Sequence, residues 1–120
     1  MERIYFIEHE GKKILLEDIS NMEPGEEFLT AIDTAKKIIA SQPQNSVLAL
    51  LDATNVHFNS DMLNAMSEFV KGNTPYVKCA AVVGIEGLLK IVLSTLSKVA
   101  GRSFHIFPNR EEAKKFLISQ

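Results

Sequence analysis

Apolar and polar residues follow two different periods along the chain, and each period predicts a different element. After Pro24-Gly25, apolar residues recur every three or four positions, which predicts an amphipathic helix over residues 26–41. The stripe of this helix consists of Phe28, Ile32, Ala35 and Ile39. Residues 46–52 are apolar almost without interruption, which is typical of a strand buried on both faces. This segment is therefore the predicted central strand of a sheet.

The same patterns predict the remaining elements. Two β-favouring runs, residues 3–8 and 13–17, flank a polar stretch with a glycine, which indicates a hairpin. The elements that follow the central strand are a helix capped by Ser60 or Asn59, a strand over 76–84, a helix over 85–100, a strand over 103–107 and a helix over 110–118. Asn109 and Glu112 are placed as the N-cap and N3 residues of a capping box for the last helix.

The order of elements is β-β-α-β-α-β-α-β-α. Strands separated by single helices favour parallel neighbours with right-handed crossovers. We therefore expect an α/β fold with a mixed sheet of about five strands and about four helices. No linker or repeat interrupts the 120 residues, so residues 1–120 are predicted to form one domain.

Composition narrows the functional classes. The chain has 13 basic and 15 acidic residues and no run of basic residues longer than two, which argues against a nucleic-acid binder. The single cysteine, Cys79, has no second thiol for a disulfide or a Cys-x-x-Cys site. No signal sequence or long apolar segment is present, so we expect a cytoplasmic protein without membrane insertion.

Three segments carry a resemblance to a known family. They are the opening hairpin, the run Leu48-Ala49-Leu50-Leu51-Asp52 continuing into Val56-His57-Phe58-Asn59-Ser60-Asp61, and Ser103-Phe104-His105-Ile106-Phe107 before Asn109-Arg110-Glu111-Glu112-Ala113. With the order of elements, they resemble the SpoIIAA-like proteins of the STAS and CRAL-TRIO (Sec14) superfamily. The resemblance implies a STAS-like fold and an interaction or regulatory role like that of anti-sigma-factor antagonists, with no enzymatic activity and no cofactor.

The resemblance also implies a site. In the family, a serine in the loop after the third strand is phosphorylated by a partner kinase, and Ser60 matches it when the alignment is shifted by one residue. The implied partner-binding residues and phosphoswitch are Asp52, Thr54, Asn59, Ser60 and Asp61. A protein partner of unknown identity is expected.

Other chemistry finds less support in the residues. Asp52 could be a phosphoacceptor, and either Asp52 or Ser60 could be a nucleophile. No general base lies at a recognisable spacing from them, and an Asx turn is the simpler role for Asp52. Gly84, Glu86 and Gly87 follow a strand and open a helix, so their amides could hold an anion, although a simple tight turn is the favoured interpretation.

Metal and thiol chemistry are not expected. The three histidines, His9, His57 and His105, are far apart in the sequence and lack the spacing of metal ligands. Cys79 has no adjacent base that would favour a thiolate, so we interpret it as a buried core residue. No metal site is therefore predicted.

Two further hypotheses remain open. The apolar residues of the 85–100 helix favour, as an alternative function, a small apolar-ligand or lipid carrier of the CRAL-TRIO type. These residues are Leu88, Leu89, Val92, Leu93, Leu96 and Val99.

Right-handed connections between successive parallel strands place the connecting helices on one side of the sheet. An apolar set of the central strand, such as Leu48 and Leu50, could therefore face the uncovered side and need a partner surface. A homodimer is therefore a possible assembly.

Overall fold

The first two strands form a hairpin with a two-residue turn. The computed structural model describes residues 2–101 and 103–120, without the side chains of Leu88, Leu89 and Val99. Strands β1 (Ile4–His9) and β2 (Lys12–Asp18) pair antiparallel. Both turn residues have positive φ, 49° at Glu10 and 81° at Gly11, as hairpin turns that match the strand twist require. The predicted hairpin is confirmed.

Three helices and three strands follow in strict alternation, and a fourth helix ends the chain. They are α1 (Glu26–Ala40), β3 (Val47–Asp52), α2 (Ser60–Asn73), β4 (Val77–Val83), α3 (Leu88–Ala100), β5 (His105–Phe107) and α4 (Arg110–Ile118). The sheet order is β1-β2-β3-β4-β5, with β3 in the centre and parallel pairing from β2 to β5. The expected mixed α/β architecture is thus confirmed.

Side chains on the two faces of the sheet enter two separate cores. The first core lies under α1, α2 and α3 and includes Leu15, Ala49 and Val82 from the strands. The second lies under α4, where Leu48 and Leu50 pack in one cluster with Ala113 and Leu117. The alternation of side chains along each strand divides neighbouring residues between these layers.

The cover of the second face corrects one prediction. Leu48 and Leu50 form one of the two opposed apolar sets of β3 that could have lacked cover, yet they are 7% and 0% exposed beneath α4. The crossover rule places only helices that connect two parallel strands, and α4 connects none, so the rule could not place it. The reason given for a homodimer is therefore wrong, while the assembly itself stays a prediction.

Helix α3 departs from its predicted limits. It begins at Leu88 rather than Ile85, because Gly84 and Gly87 have φ of 85° and 57°, outside the right-handed helical region. Its Ile91 is 64% exposed. Among its described side chains, only Leu93 is buried. Among residues 2–101 and 103–120, no helix has the length and apolar character needed to cross a bilayer.

Candidate functional site

Two adjacent parallel strands end in the same four-residue pattern. The pattern begins at the last residue of each strand. It reads Asp18-Ile19-Ser20-Asn21 at the end of β2 and Asp52-Ala53-Thr54-Asn55 at the end of β3, and the two aspartates are register partners. In each, the aspartate Oδ1 accepts two hydrogen bonds from the residue two positions on. Asp18 accepts from the Ser20 N and Oγ at 3.0 and 2.5 Å, and Asp52 from the Thr54 N and Oγ1 at 3.0 and 2.6 Å. These are Asx-type turns, the structural role considered for Asp52.

The two turns are also linked to each other. The fourth residue of each pattern has a left-handed backbone, with φ of 61° at Asn21 and 58° at Asn55. The Asn55 side-chain amide donates to Asn21 Oδ1 at 3.1 Å, and the Asn21 N–H donates to the Thr54 carbonyl at 2.8 Å. Asparagine tolerates the left-handed region better than most residues, which explains its place at both turns.

Arg110, the first residue of α4, connects both aspartates to the last helix. Its Nε donates to Asp52 Oδ2 at 2.7 Å, and its Nη2 lies 3.3 Å from Asp18 Oδ2. Arg3 adds a second cation, with Nη1 3.5 Å from Asp18 Oδ1 and 3.1 Å from the Ser20 carbonyl. We call Arg3, Asp18, Asp52 and Arg110 the ion-pair cluster.

Hydrogen bonds and cations stabilise the charged form of Asp18. Burial acts to raise its pKa, but the hydrogen bonds from Ser20 and the charges of Arg110 and Arg3 outweigh burial, so the pKa is lowered. Both Asp52 oxygens are engaged, Oδ1 by Thr54 and Oδ2 by Arg110. The contacts of Asp52 thus position the loop and α4, and its partner-binding role stays a prediction.

The β3–α2 loop is exposed and ends at a capped helix. Asn59 is the N-cap residue, and its Oδ1 accepts from the Met62 N–H at 2.9 Å. Ser60 is therefore the first helical residue and is exposed, and among the described residues none hydrogen-bonds its hydroxyl. Of the two capping residues considered, Asn59 has that role. The predicted site residues Thr54, Asn59, Ser60 and Asp61 all lie on one exposed segment.

A groove with both apolar and polar walls borders this segment. It has a volume of about 280 Å³ and lies between the starts of α1 and α2, lined by Pro24, Gly25, Phe28, Leu29, Asn59, Asp61 and Met62. Leu29 is 53% exposed, one of three large apolar residues exposed in the described part of the chain. We call residues 54–61 together with Leu29 the loop surface. Sequence analysis missed Leu29, because the helical period that marks the buried stripe does not mark a lone exposed residue.

The glycine-rich turn after β4 has a packing role. A Cβ at Gly84 would lie 2.5 Å from the Thr54 backbone nitrogen, and Gly84 has φ of 85°, so only glycine fits there without strain. Glu86 and Gly87, the other residues of the candidate anion turn, are exposed. The close approach to Thr54 explains Gly84 without a ligand, and anion binding at this turn stays a prediction.

Metal and thiol chemistry gain no support from the geometry. In the part of the chain that the structure describes, no three histidine, cysteine, aspartate or glutamate side chains gather where a metal ion could bind. Cys79 is half-buried in the sheet, and burial raises the pKa of its thiol. His105 instead packs beside Phe116, with ring centroids 4.5 Å apart.

A second, more enclosed pocket lies between the sheet and helices α2 and α3. Its walls are mostly apolar and include Met66 and Phe69 of α2 and Leu93 of α3. It offers about 50 Å³ of space to water-sized molecules. Of the α3 residues that motivated the carrier hypothesis, Val92, Leu93 and Leu96 line this pocket, and the side chains of Leu88, Leu89 and Val99 lie outside the described residues.

The architecture agrees with that of a known fold. The chain is similar to the crystal structure of an uncharacterized protein of the DUF3478 family with a SpoIIAA-like fold, from Shewanella loihica PV-4. The match has a TM-score of 0.74 and 14% sequence identity, and it covers 95% of this chain and 91% of that chain. Comparisons with family models and with curated proteins find no match.

This similarity supports the SpoIIAA-like part of the predicted resemblance and not the CRAL-TRIO part. At 14% identity it shows the fold alone, and the fold is SpoIIAA-like, as expected from the order of elements. The CRAL-TRIO part of the resemblance gains no support from it. The ion-pair cluster was missed in the sequence, although the repeated Asp-x-Ser/Thr-Asn pattern at residues 18–21 and 52–55 was a visible signal.

Proposed function

We propose that this protein is a non-enzymatic, cytoplasmic interaction module of the STAS type, which binds a protein partner through the loop surface and is switched by phosphorylation of Ser60. The observation that carries the proposal is the exposed Ser60 hydroxyl at the first position of α2. Because Asn59 already caps the helix, the hydroxyl is available for modification without loss of the cap.

The contacts around Ser60 hold the loop surface in one conformation, which supports its proposed role in partner binding. The loop is held by the Asp52 turn, by the Asn55–Asn21 side-chain hydrogen bond and by the edge-to-face contact of Phe58 with Phe28. A preorganised loop loses little conformational freedom on binding. The exposed Leu29 beside it offers apolar area of the kind that partners bury.

A phosphate on Ser60 would change this surface. The N-terminus of a helix favours negative charge, but Asp61 is adjacent, and Glu26 and Glu27 lie in the first turn of α1. Added charge therefore has opposing effects on stability, while it alters the charge beside Leu29 directly. We expect partner affinity to change more than the free energy of unfolding.

The geometry favours this function over a carrier of long-chain lipids. The pocket under α2 and α3 offers about 50 Å³, about a third of the ~150 Å³ cavity that accommodates benzene in an engineered protein. A long acyl chain needs far more room than a benzene ring. The carrier hypothesis would require α3 to move away from the sheet.

Comparative affinity capture from the source cytosol tests the proposal. The baits are the unmodified protein, Ser60→Ala, Ser60→Asp and the control Thr34→Asp, which adds the same charge on the exposed face of α1. We expect a protein that the first two baits and the control retain and that Ser60→Asp releases, with all four baits equally stable in denaturant. Equal capture by all four baits, or loss with Thr34→Asp as well, would contradict the switch.

A further inference from the structure

The pocket between the sheet and helices α2 and α3 exists because two small residues meet on its floor. Ala49 of β3 and Ala80 of β4 are register partners on the face covered by these helices. Larger side chains at these two positions would fill the space. Protein interiors normally pack without such gaps. The neighbouring wall residues are apolar, among them Leu51, Phe69 and Val82.

One polar side chain in this pocket lacks a partner. Asn73, the last residue of α2, is 5% exposed, and its Oδ1 has no hydrogen-bond partner among the described residues. A buried acceptor left unsatisfied costs about 1–3 kcal/mol, and nearly all such atoms in native proteins have a partner. The partner of this oxygen is therefore expected to come from outside the described chain. Glu17, also 5% exposed, lines the same pocket from β2.

Shape and chemistry together define what fits. The walls are mostly apolar and favour hydrocarbon over water, except beside the polar side chains of Asn73 and Glu17. The volume of about 50 Å³ takes only a few heavy atoms. Asn73 Oδ1 requires a donor from the occupant.

We infer that this pocket binds a small, mostly apolar molecule with one O–H or N–H group, which donates its hydrogen bond to Asn73 Oδ1. The ligand class is that of short-chain alcohols and related donors. Phe58 of the loop surface also lines this pocket, but the inference does not depend on the proposed function.

Two isomeric probes of three heavy atoms test the inference, because ethanol and dimethyl ether have the same atoms but only the alcohol has a donor. Titration of the folded protein is followed by methyl NMR. We expect saturable shifts at Ala49, Ala80 and Val82 with ethanol, and about fivefold weaker binding of the ether, the usual worth of one hydrogen bond. In Asn73→Leu the preference for the alcohol should disappear.

A pocket-filling variant completes the test. Ala80→Val should weaken both probes at least several-fold, whereas the control Ala40→Val, on the exposed end of α1, should bind as the unmodified protein does. If Ala80→Val does not fold, Ala49→Val replaces it. Equal affinity for the two isomers, shifts that do not saturate, or an unchanged affinity in the filled variant would overturn the inference and leave water as the occupant.

Discussion

Arg110 Nε and Asp52 Oδ2 lie 2.7 Å apart, although 58 residues separate them in the chain. The contact joins the start of the last helix to the end of the central strand. Because Arg110 also reaches Asp18, one guanidinium contacts two carboxylates that end neighbouring strands. The contact therefore lies at the start of the helix whose Ala113 and Leu117 cover the second core.

Replacing Arg110 tests how much the cluster stabilises the fold. In Arg110→Met the Asp52 and Asp18 carboxylates, whose side chains are 8% and 17% exposed, lose their shared cation. We expect a loss of about 2 kcal/mol, below the cost of breaking a fully buried pair because Arg110 is one-third exposed. The control Lys114→Met removes an exposed pair with Glu111 and should cost at most about 0.5 kcal/mol. Urea denaturation measures both, and equal losses would show that the cluster has no special weight.

The lowered pKa of Asp18 predicts an acid dependence of stability. A carboxyl whose pKa is lower in the folded state stabilises the fold fully above its ordinary pKa of about 4, and that contribution is lost as pH falls below this value. The free energy of unfolding should therefore fall between about pH 5 and pH 2. The fall should be smaller in Asp18→Asn and intermediate in Ser20→Ala, which removes one donor to Asp18. Parallel curves for all three proteins would refute this origin.

Two glycines should respond to alanine in opposite directions. Gly84→Ala forces a Cβ against the Thr54 backbone at positive φ, so we expect a loss of about 2 kcal/mol or more. Gly72 lies in helix α2 with open space around it, so Gly72→Ala should stabilise the protein by about 0.5–1 kcal/mol. Thermal denaturation of both variants gives the comparison. A Gly84→Ala protein as stable as the unmodified one would show that the turn can relax.

Substitutions at the helix N-termini distinguish the structural role of Asn59 from that of Ser60. Asn59→Ala and Asn109→Ala each remove a side-chain acceptor from a helix N-terminus, at Met62 N and Glu112 N, and should each cost about 1 kcal/mol. Ser60→Ala removes no hydrogen bond of the cap and should leave stability within about 0.3 kcal/mol. Chemical denaturation measures the free energy of unfolding of each variant. A loss in Ser60→Ala equal to that in Asn59→Ala would mean that the serine caps the helix instead.

The elements set by local patterns could be predicted from the sequence. The stripe of α1 is buried as its period predicts, and Asn109 caps α4 through the Glu112 N–H, because both depend on residues a few positions apart. The start of α3 was misplaced by three residues. The positive φ of Gly84 arises beside the Thr54 backbone, a contact between two loops that the period of one segment does not show.

Contacts between distant segments could not be read from the chain. Arg110 looked like an ordinary first-turn residue, and nothing in residues 110–118 indicated which face of the sheet the helix covers. The empty space over Ala49 and Ala80 depends on the register of β3 and β4, which sequence alone leaves open. The fold class was therefore predictable, whereas the ion-pair cluster and the pocket needed the three-dimensional arrangement.

Photocrosslinking in the source cell tests the loop surface most directly. A benzophenone amino acid is placed at Leu29, at His57 and, as a control, at Lys37 on the exposed part of α1. We predict the same crosslinked protein from positions 29 and 57, none from position 37, and loss of the crosslink when Ser60→Asp is combined with either probe. No specific adduct at positions 29 and 57, or the same adduct from all three positions, would contradict the proposal that this surface binds the partner.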